Sequence, residues 1–282
     1  MLEAVETTNS ASLESCVFWS EGQSLSVPWL YRSHDIGLND LRGDLVPRRV
    51  ASASQRKCSM IKVWGRPTSI NTQRVLWALA DSDIPHELIL ASATMGPDGH
   101  VSKGGAAFGI VNTAAYRAMN PNGTVPTIDD DGFILWESNA ILIWLALKRA
   151  PEVLFGGDPK HLARALQWMS WTNERLEPLL HTLVMELVRL PEVQRDPDQV
   201  EKARVAMLGP LGVLEAHLAR QLYVAGDRFT IGDIPTGAAV YRWLVFDLER
   251  PETPNIAAWQ SRLSDRKGFR THVASRDFHL SG

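Results

Sequence analysis

Three short junctions in this sequence hold the side chains best suited to chemistry. The first is Gly65-Arg66-Pro67-Thr68-Ser69-Ile70-Asn71, where a hydroxyl and a carboxamide meet at the start of an apolar-periodic run. The opening N–H groups of a helix lack intrahelical partners and carry partial positive charge, so such a place stabilises an anion. A thiolate is an anion that needs this help, because a free cysteine thiol titrates at about 8.5. The alternative is structural, with Ser69 or Asn71 acting only as helix N-cap. The second junction, Asn120-Pro121-Asn122-Gly123-Thr124-Val125-Pro126-Thr127, sets a proline just inside a short strand, where it cannot donate to a sheet. It must sit at a sheet edge or at a special bond, and a cis Val125–Pro126 bond would turn the Val125 backbone outward, to pair with the peptide group of a ligand as an added strand does. The third, Trp136-Glu137-Ser138-Asn139, enters another helix. Ser138 and the neighbouring N–H groups suit a carboxylate and Glu137 suits an ammonium, with simple capping again the alternative. Together the junctions prescribe a ligand with an amino-acid-like end, an extended peptide middle and a thiol.

These junctions must be held by a frame, and the sequence pattern supplies one. From Met60 the chain reads strand (61–64), helix (71–81), strand (86–90), a long Gly-rich loop (91–112) and a short helix (113–119). Two strands (125–128 and 133–136) follow around an Asp-Asp-Asp-Gly turn, and then a helix (138–149). The opening βαβ unit favours a parallel pair with a right-handed crossover. The order as a whole predicts a small α/β domain, residues 60–150, with a mixed four-stranded sheet. After a Pro- and Gly-bearing linker near 150–158, each strong segment has a helical period, predicting an all-α domain over 158–276. Within it, 158–190 is interrupted by Pro178, which predicts a bend or break. Residues 199–222 carry Val205, Leu208, Leu211, Leu214, Leu218 and Leu222 as a candidate core stripe. Residues 1–59 show no sustained period and read as a disordered extension, an upstream start codon with initiation at Met60 being the other reading.

Composition closes several avenues. With 45% hydrophobic residues, 22% charged residues and a formal net charge of -3, the chain can bury a sizeable core but draws no broad electrostatic attraction to nucleic acid or an anionic membrane. No basic stripe with interleaved aromatics suggests a nucleic-acid partner. The two cysteines, Cys16 and Cys58, form no CxxC pair, and none of the eight histidines stands at a metal-ligand spacing, so no metal is expected. An acidic start without an apolar core argues against a secretory signal, and the longest apolar run, 140–147, is far short of the roughly 20 residues that span a bilayer. No membrane is expected, and the cytoplasm is the expected compartment.

The three junctions, in this order, resemble the glutathione transferase family, and glutathione fits the prescribed ligand. The resemblance covers about Met60 to Arg276. Its most specific parts are Asn120 to Thr127, similar to the family's NPxGxVPxL, and Glu137-Ser138-Asn139-Ala140-Ile141, similar to its ESxAI. Phe229-Thr230-Ile231-Gly232-Asp233-Ile234-Pro235 resembles the family's buried capping box, with Asp in place of the usual Glu or Gln. The first junction looks like a bacterial theta-like, serine-type subgroup. The resemblance implies a thioredoxin-like N-terminal domain, an all-helical C-terminal domain, glutathione as co-substrate and a homodimer.

It also implies roles. Ser69 occupies the position of the catalytic hydroxyl that bonds the glutathione sulfur, and Asn71 is its rival, since nu-like relatives place Thr and Asn at these two positions. Thr124, Val125, Pro126, Glu137 and Ser138 would bind glutathione. No tyrosine or cysteine stands at the first junction, which argues against tyrosine-type and mixed-disulfide mechanisms. Thr124 departs from the Lys, Arg or Gln common in relatives, leaving Lys103 and Arg117 as candidates for the glycyl end. A hydrophobic electrophile would lie near Arg66, Trp168, Trp171 and Arg175, the last three on one face of a long helix by spacing, although core or dimer packing also accounts for the tryptophans. The expected activity is transfer of glutathione to that electrophile. A glutathione-dependent disulfide reductase or peroxidase of nu-like type is the second reading, and a non-catalytic binding protein on the same fold the third.

Overall fold

The computed structural model describes residues 60–92 and 110–274. The extension 1–59, the middle of the long loop with Lys103, and the last eight positions lie outside the described residues. Four strands, β1 (Ile61–Gly65), β2 (His86–Leu90), β3 (Thr127–Asp130) and β4 (Phe133–Trp136), form one sheet in the order β2-β1-β3-β4. β1 pairs parallel to β2 and antiparallel to β3, and β3 pairs antiparallel to β4. The sheet is therefore the mixed four-stranded one expected.

Period-2 alternation sorts the two faces of β1. Ile61 and Val63 are fully buried and join Val75, Leu76 and Leu79 of α1 (Ile70–Asp81) and Ile141, Leu142 and Leu145 of α3 (Ser138–Lys148) in the main core. Trp64 packs to a smaller cluster with Ala91, Val111, Val125 and Tyr116 of α2 (Ala114–Met119). Gly65 ends β1 where Thr72 presses close, and a Cβ there would stand 2.5 Å from Thr72 Cγ2. The β3–β4 turn is tighter than the expected four residues. Asp131 and Gly132 take positive φ (57° and 87°), the pattern of a two-residue hairpin loop, so Asp129 and Asp130 stay paired in β3. β3 also begins two residues later than expected, beyond the cis Val125–Pro126 bond.

The rest of the described chain is helical: α4 (Pro151–Leu154), α5 (Pro159–Arg175), α6 (Glu177–Val184), α7 (Pro197–Leu218), α8 (Asp233–Val245) and α9 (Pro254–Ser264). The expected break occurs between α5 and α6, where Pro178 sits in the first turn of α6 and its missing N–H costs nothing. α6 runs on into a π-helical turn, Met185–Arg189, and a second such turn, Phe269–Ala274, ends the described chain. On α7 the expected stripe needs correcting. Val205 and Leu222 are exposed, and the buried face is Ala203, Met207, Leu211, Leu214 and Leu218. Steps of three drift around a helix of 3.6 residues per turn, whereas mixed steps of three and four hold one face.

Two devices order the helical half, and the first of them ties it to α1. Trp77 of α1 packs edge-on to Phe269 at 5.0 Å and against Phe229 at 6.0 Å. A Cβ at Gly268 would stand 2.4 Å from the Trp77 carbonyl oxygen, so only glycine permits this approach. Asp81, at the end of α1, accepts hydrogen bonds from Trp77 Nε1 (2.8 Å), Arg266 Nε (2.6 Å) and Gly268 N (2.7 Å). The second device is the box at the start of α8. Asp233, fully buried, accepts from Thr230 N (2.8 Å), Thr230 Oγ1 (3.2 Å), Val224 N (3.0 Å) and Trp259 Nε1 (2.9 Å). Thr230 Oγ1 in return accepts from Gly232 N at 3.2 Å. Burial outweighs the four donors, which act to lower it, and leaves the Asp233 carboxyl raised to about 6.

Candidate functional site

The β1–α1 loop is pinned from below. Gln73 Nε2 donates to Pro67 O (2.9 Å) and Arg242 of α8 donates to Thr68 O (3.0 Å) and Gln73 Oε1 (3.3 Å). Ser69 takes the N-cap position of α1, with Oγ accepting from Thr72 N at a long 3.5 Å. Asn71, one residue inside the helix, is held more firmly. Its Oδ1 accepts from Arg74 Nη1 at 2.8 Å and from Ser138 Oγ at 3.3 Å. A guanidinium can only donate, so this contact fixes which end of the carboxamide is oxygen. Nδ2 is thereby turned away from Arg74.

Asn71, Thr124, Val125, Pro126, Glu137 and Ser138 line one hollow of about 170 Å³. Five residues from the second and third junctions and one from the first thus come together, although they are up to 67 positions apart in the chain. Ser69 is not among the lining residues. Glu137 is exposed, makes no side-chain cap bond and holds a positive φ of 69° at the entrance to α3. A non-glycine residue in that region is strained, and such residues concentrate where a ligand is clamped. Beyond Glu137 and Ser138 the hollow continues into a second, of about 220 Å³, bounded also by Arg74, Asn139, Asn173 and Glu177. Asn139 Oδ1 and Arg74 Nε are buried there without a hydrogen-bond partner.

A buried polar brace supports the cis-proline loop. Tyr116 Oη donates to Thr124 O (2.7 Å) and lies 2.9 Å from Thr127 Oγ1, while Asn120 Nδ2 donates to Thr124 O (2.9 Å) and Thr127 Oγ1 (3.1 Å). Burial raises the Tyr116 phenol above its ordinary value, so it stays a donor. Sequence reasoning missed Tyr116, yet its place four residues before Asn120 on one helix face was a usable signal. Arg117, a candidate for the glycyl end, donates to Asn112 Oδ1 at 3.2 Å beside Gly123.

The expected electrophile face does not turn to this hollow. Trp168 is buried, its ring 4.9 Å from Trp171 and 4.6 Å from His217, and it borders a separate hollow with His217 and Gln221. Trp171 packs on the main core, and Arg175 is exposed in the last turn of α5. The reason lies one step round the helix. Thr172, on the face of Trp168, is fully buried and bonds Thr236 of α8 at 2.8 Å, so that face packs against α8. Asn173 and Glu177 turn to the cleft instead.

Charge near the β1–α1 loop is strongly positive. Arg66 is lowered to about 10, first by burial and then by Arg189, and Arg242 is lowered to about 9, mainly by burial. Arg74 forms an ion pair with Glu177. Arg74, Arg189 and Arg242 were not foreseen, although Arg242 inside the apolar run 239–244 was a visible anomaly. Among the described residues no group of three or more His, Cys, Asp or Glu side chains could hold a metal, and no helix is long and apolar enough to cross a membrane.

A mixed thioredoxin-like sheet followed by a helical domain, with a polar hollow at the helix starts, defines a glutathione-transferase fold. The comparisons agree. Residues 68–148 match the family model of the glutathione S-transferase N-terminal domain, and residues 176–267 that of the C-terminal domain. Glutathione S-transferase GstB of Escherichia coli strain K12 is 35% identical over 216 residues, 76% of this chain and 98% of the relative. The theta class glutathione S-transferase of Xanthomonas axonopodis pv. citri, solved with glutathione bound, is 37% identical with a TM-score of 0.67, covering 76% of this chain and 96% of that one. Glutathione S-transferase 3 of Zea mays is 29% identical, covering 76% of this chain and 94% of the relative. The chain belongs to the glutathione S-transferase family, as an enzyme that transfers glutathione and takes it as co-substrate. The relatives' names favour conjugation over the disulfide-reductase and non-catalytic readings.

Proposed function

We propose that glutathione lies across the hollow of Asn71, Thr124, Val125, Pro126, Glu137 and Ser138, with its sulfur at the start of α1. Glu137 receives the γ-glutamyl ammonium, and the backbone N–H of Ser138 with the next N–H groups of α3 receives the adjoining carboxylate. The Val125 backbone pairs with the cysteinyl peptide group. Asn71 Nδ2 donates to the sulfur and favours the thiolate, and Ser69 assists from the N-cap. The observation that carries this assignment is the anchoring of Asn71 Oδ1 by Arg74 and Ser138, which leaves the amide nitrogen as a positioned donor on the hollow. The thiolate then attacks a hydrophobic electrophile, aided mainly by orientation and electrostatics. Residues 60–150 are the glutathione-binding domain and residues 158–276 the domain that flanks the electrophile.

The chain acts as a cytoplasmic homodimer in detoxification. An apolar strip supports the dimer: Phe133 of β4, 43% exposed, stacks on Trp144 of α3 at 4.3 Å, and Leu147 beside them is 51% exposed. Sedimentation velocity on Phe133→Ser checks this, a shift to monomer being expected.

Calorimetric titration of the full chain with glutathione tests the site. Saturable binding in the wild type, lost in Glu137→Ala, is expected. Retained affinity in Glu137→Ala would overturn the peptide site.

A further inference from the structure

The carboxamide that faces the glutathione hollow is oriented by a chain of bonds that ends in the helical half. Asn71 Oδ1 accepts from Arg74 Nη1 at 2.8 Å, and Arg74 Nη2 is paired with Glu177, the residue that opens α6. Asn71 and Arg74 share one turn of α1, whereas Glu177 lies 103 positions beyond Arg74. The Arg74 side chain is 2% exposed, while that of Glu177 keeps 26% and borders the second hollow. Arg74, Glu137 and Glu177 are the charged side chains that line the two hollows.

Each bond in this chain has a physical task. The two ends of a carboxamide are nearly alike in shape, so its partners decide which end faces a ligand. Arg74 decides it for Asn71. A guanidinium is a planar fork on a long stem, and two bonds in its plane fix it where one leaves it free to turn. Glu177 makes the second bond. It also supplies the countercharge that lets a guanidinium stay buried, which a neutral carboxamide cannot do. Asn139 Oδ1 and Arg74 Nε are both buried on the same hollow without a hydrogen-bond partner, so a guanidinium released from Glu177 has another acceptor to turn to. Resting on the reading that Asn71 Nδ2 donates to the sulfur, we propose that Glu177 is a positioning residue for the thiolate, holding the Asn71 carboxamide through Arg74 with its nitrogen toward the sulfur. The helical half thereby takes part in activating the thiol. Charge alone works in the opposite direction. A carboxylate near a thiolate disfavours it, so removing Glu177 would lower the thiol pKa if only its charge counted, whereas loss of positioning raises it.

The sign of the shift is the test. The pKa of the bound thiol is read from thiolate absorbance against pH, on the full chain at saturating glutathione. Glu177→Gln is expected to raise it by about half a unit, which leaves roughly threefold less thiolate at any pH well below the pKa. In an Asn71→Ala background the same substitution is expected to change nothing, because the chain of bonds has lost its end. A pKa unchanged or lowered by Glu177→Gln overturns the positioning role. A rise of equal size with and without Asn71 overturns it too. So does loss of glutathione binding in a folded Glu177→Gln, which would make Glu177 a ligand contact. Should Glu177→Gln not fold, Glu177→Asp asks the same question, since it keeps the charge and withdraws the carboxylate by one methylene. A raised pKa there upholds the role, and an unchanged one removes it. The underlying reading has its own control. If the wild type binds no glutathione, or Asn71→Ala leaves the thiol pKa unmoved, Asn71 is not the sulfur's donor and the role of Glu177 falls with it. If Asn71→Ala raises the pKa and Glu177→Gln does not, that reading stands and only the role of Glu177 is lost.

Discussion

Two helix starts in this molecule use nearly the same residue types to opposite ends. At α8, Thr230 and Asp233 are fully buried, and the carboxylate takes four donors from three residues. At α3, Glu137 and Ser138 stand at the mouth of a hollow, and Glu137 makes no cap bond while holding a strained φ. The first start is saturated by its own fold. The second is left unsaturated, and that is what fits it to a ligand. Capping chemistry therefore marks a binding site only where the fold declines to use it.

Variants can break this contrast. The largest effect is expected at Asp233→Ala, which orphans several buried donors, so stability should fall by about 3–5 kcal/mol in urea unfolding, or the chain should fail to fold. Glu137→Gln should do the reverse: stability within about 0.5 kcal/mol of wild type, but glutathione affinity down by about 2 kcal/mol, roughly thirtyfold, by calorimetry. Asn71→Ala should raise the pKa of the bound thiol by about one unit, read from thiolate absorbance against pH, with binding largely kept. Ser69→Ala should move that pKa less than Asn71→Ala, and the opposite ranking would return the main role to the hydroxyl. Tyr116→Phe is the mildest. It removes the brace on Thr124 O, and glutathione affinity should weaken by about 1 kcal/mol.

The sequence made the frame legible because periodicity records burial directly. The alternation of Ile61, Lys62 and Val63, the Pro178 break and the Thr230–Asp233 spacing each express a local rule. The hollow proposed for glutathione gathers residues that the sequence already set in three short junctions, which is why they could be named together. What stayed hidden is whatever depends on helix rotation or long-range approach. Spacing put Trp168, Trp171 and Arg175 on one face but could not say that this face packs against α8. The Arg66–Arg189–Arg242 cluster joins three distant segments, and no local pattern announces it.

Trp77 has a consequence of another kind. Its ring is wedged between Phe229 and Phe269 and its backbone is pressed by Gly268, so the α/β half carries on its back an aromatic that only the helical half can cover. The two halves cannot swing apart like jaws, and ligands must come and go through the open mouth of the cleft. Nor are they interchangeable parts. A chimera that fused residues 60–150 to a foreign helical domain would have to rebuild the socket for this one indole before it could dissolve, let alone catalyse.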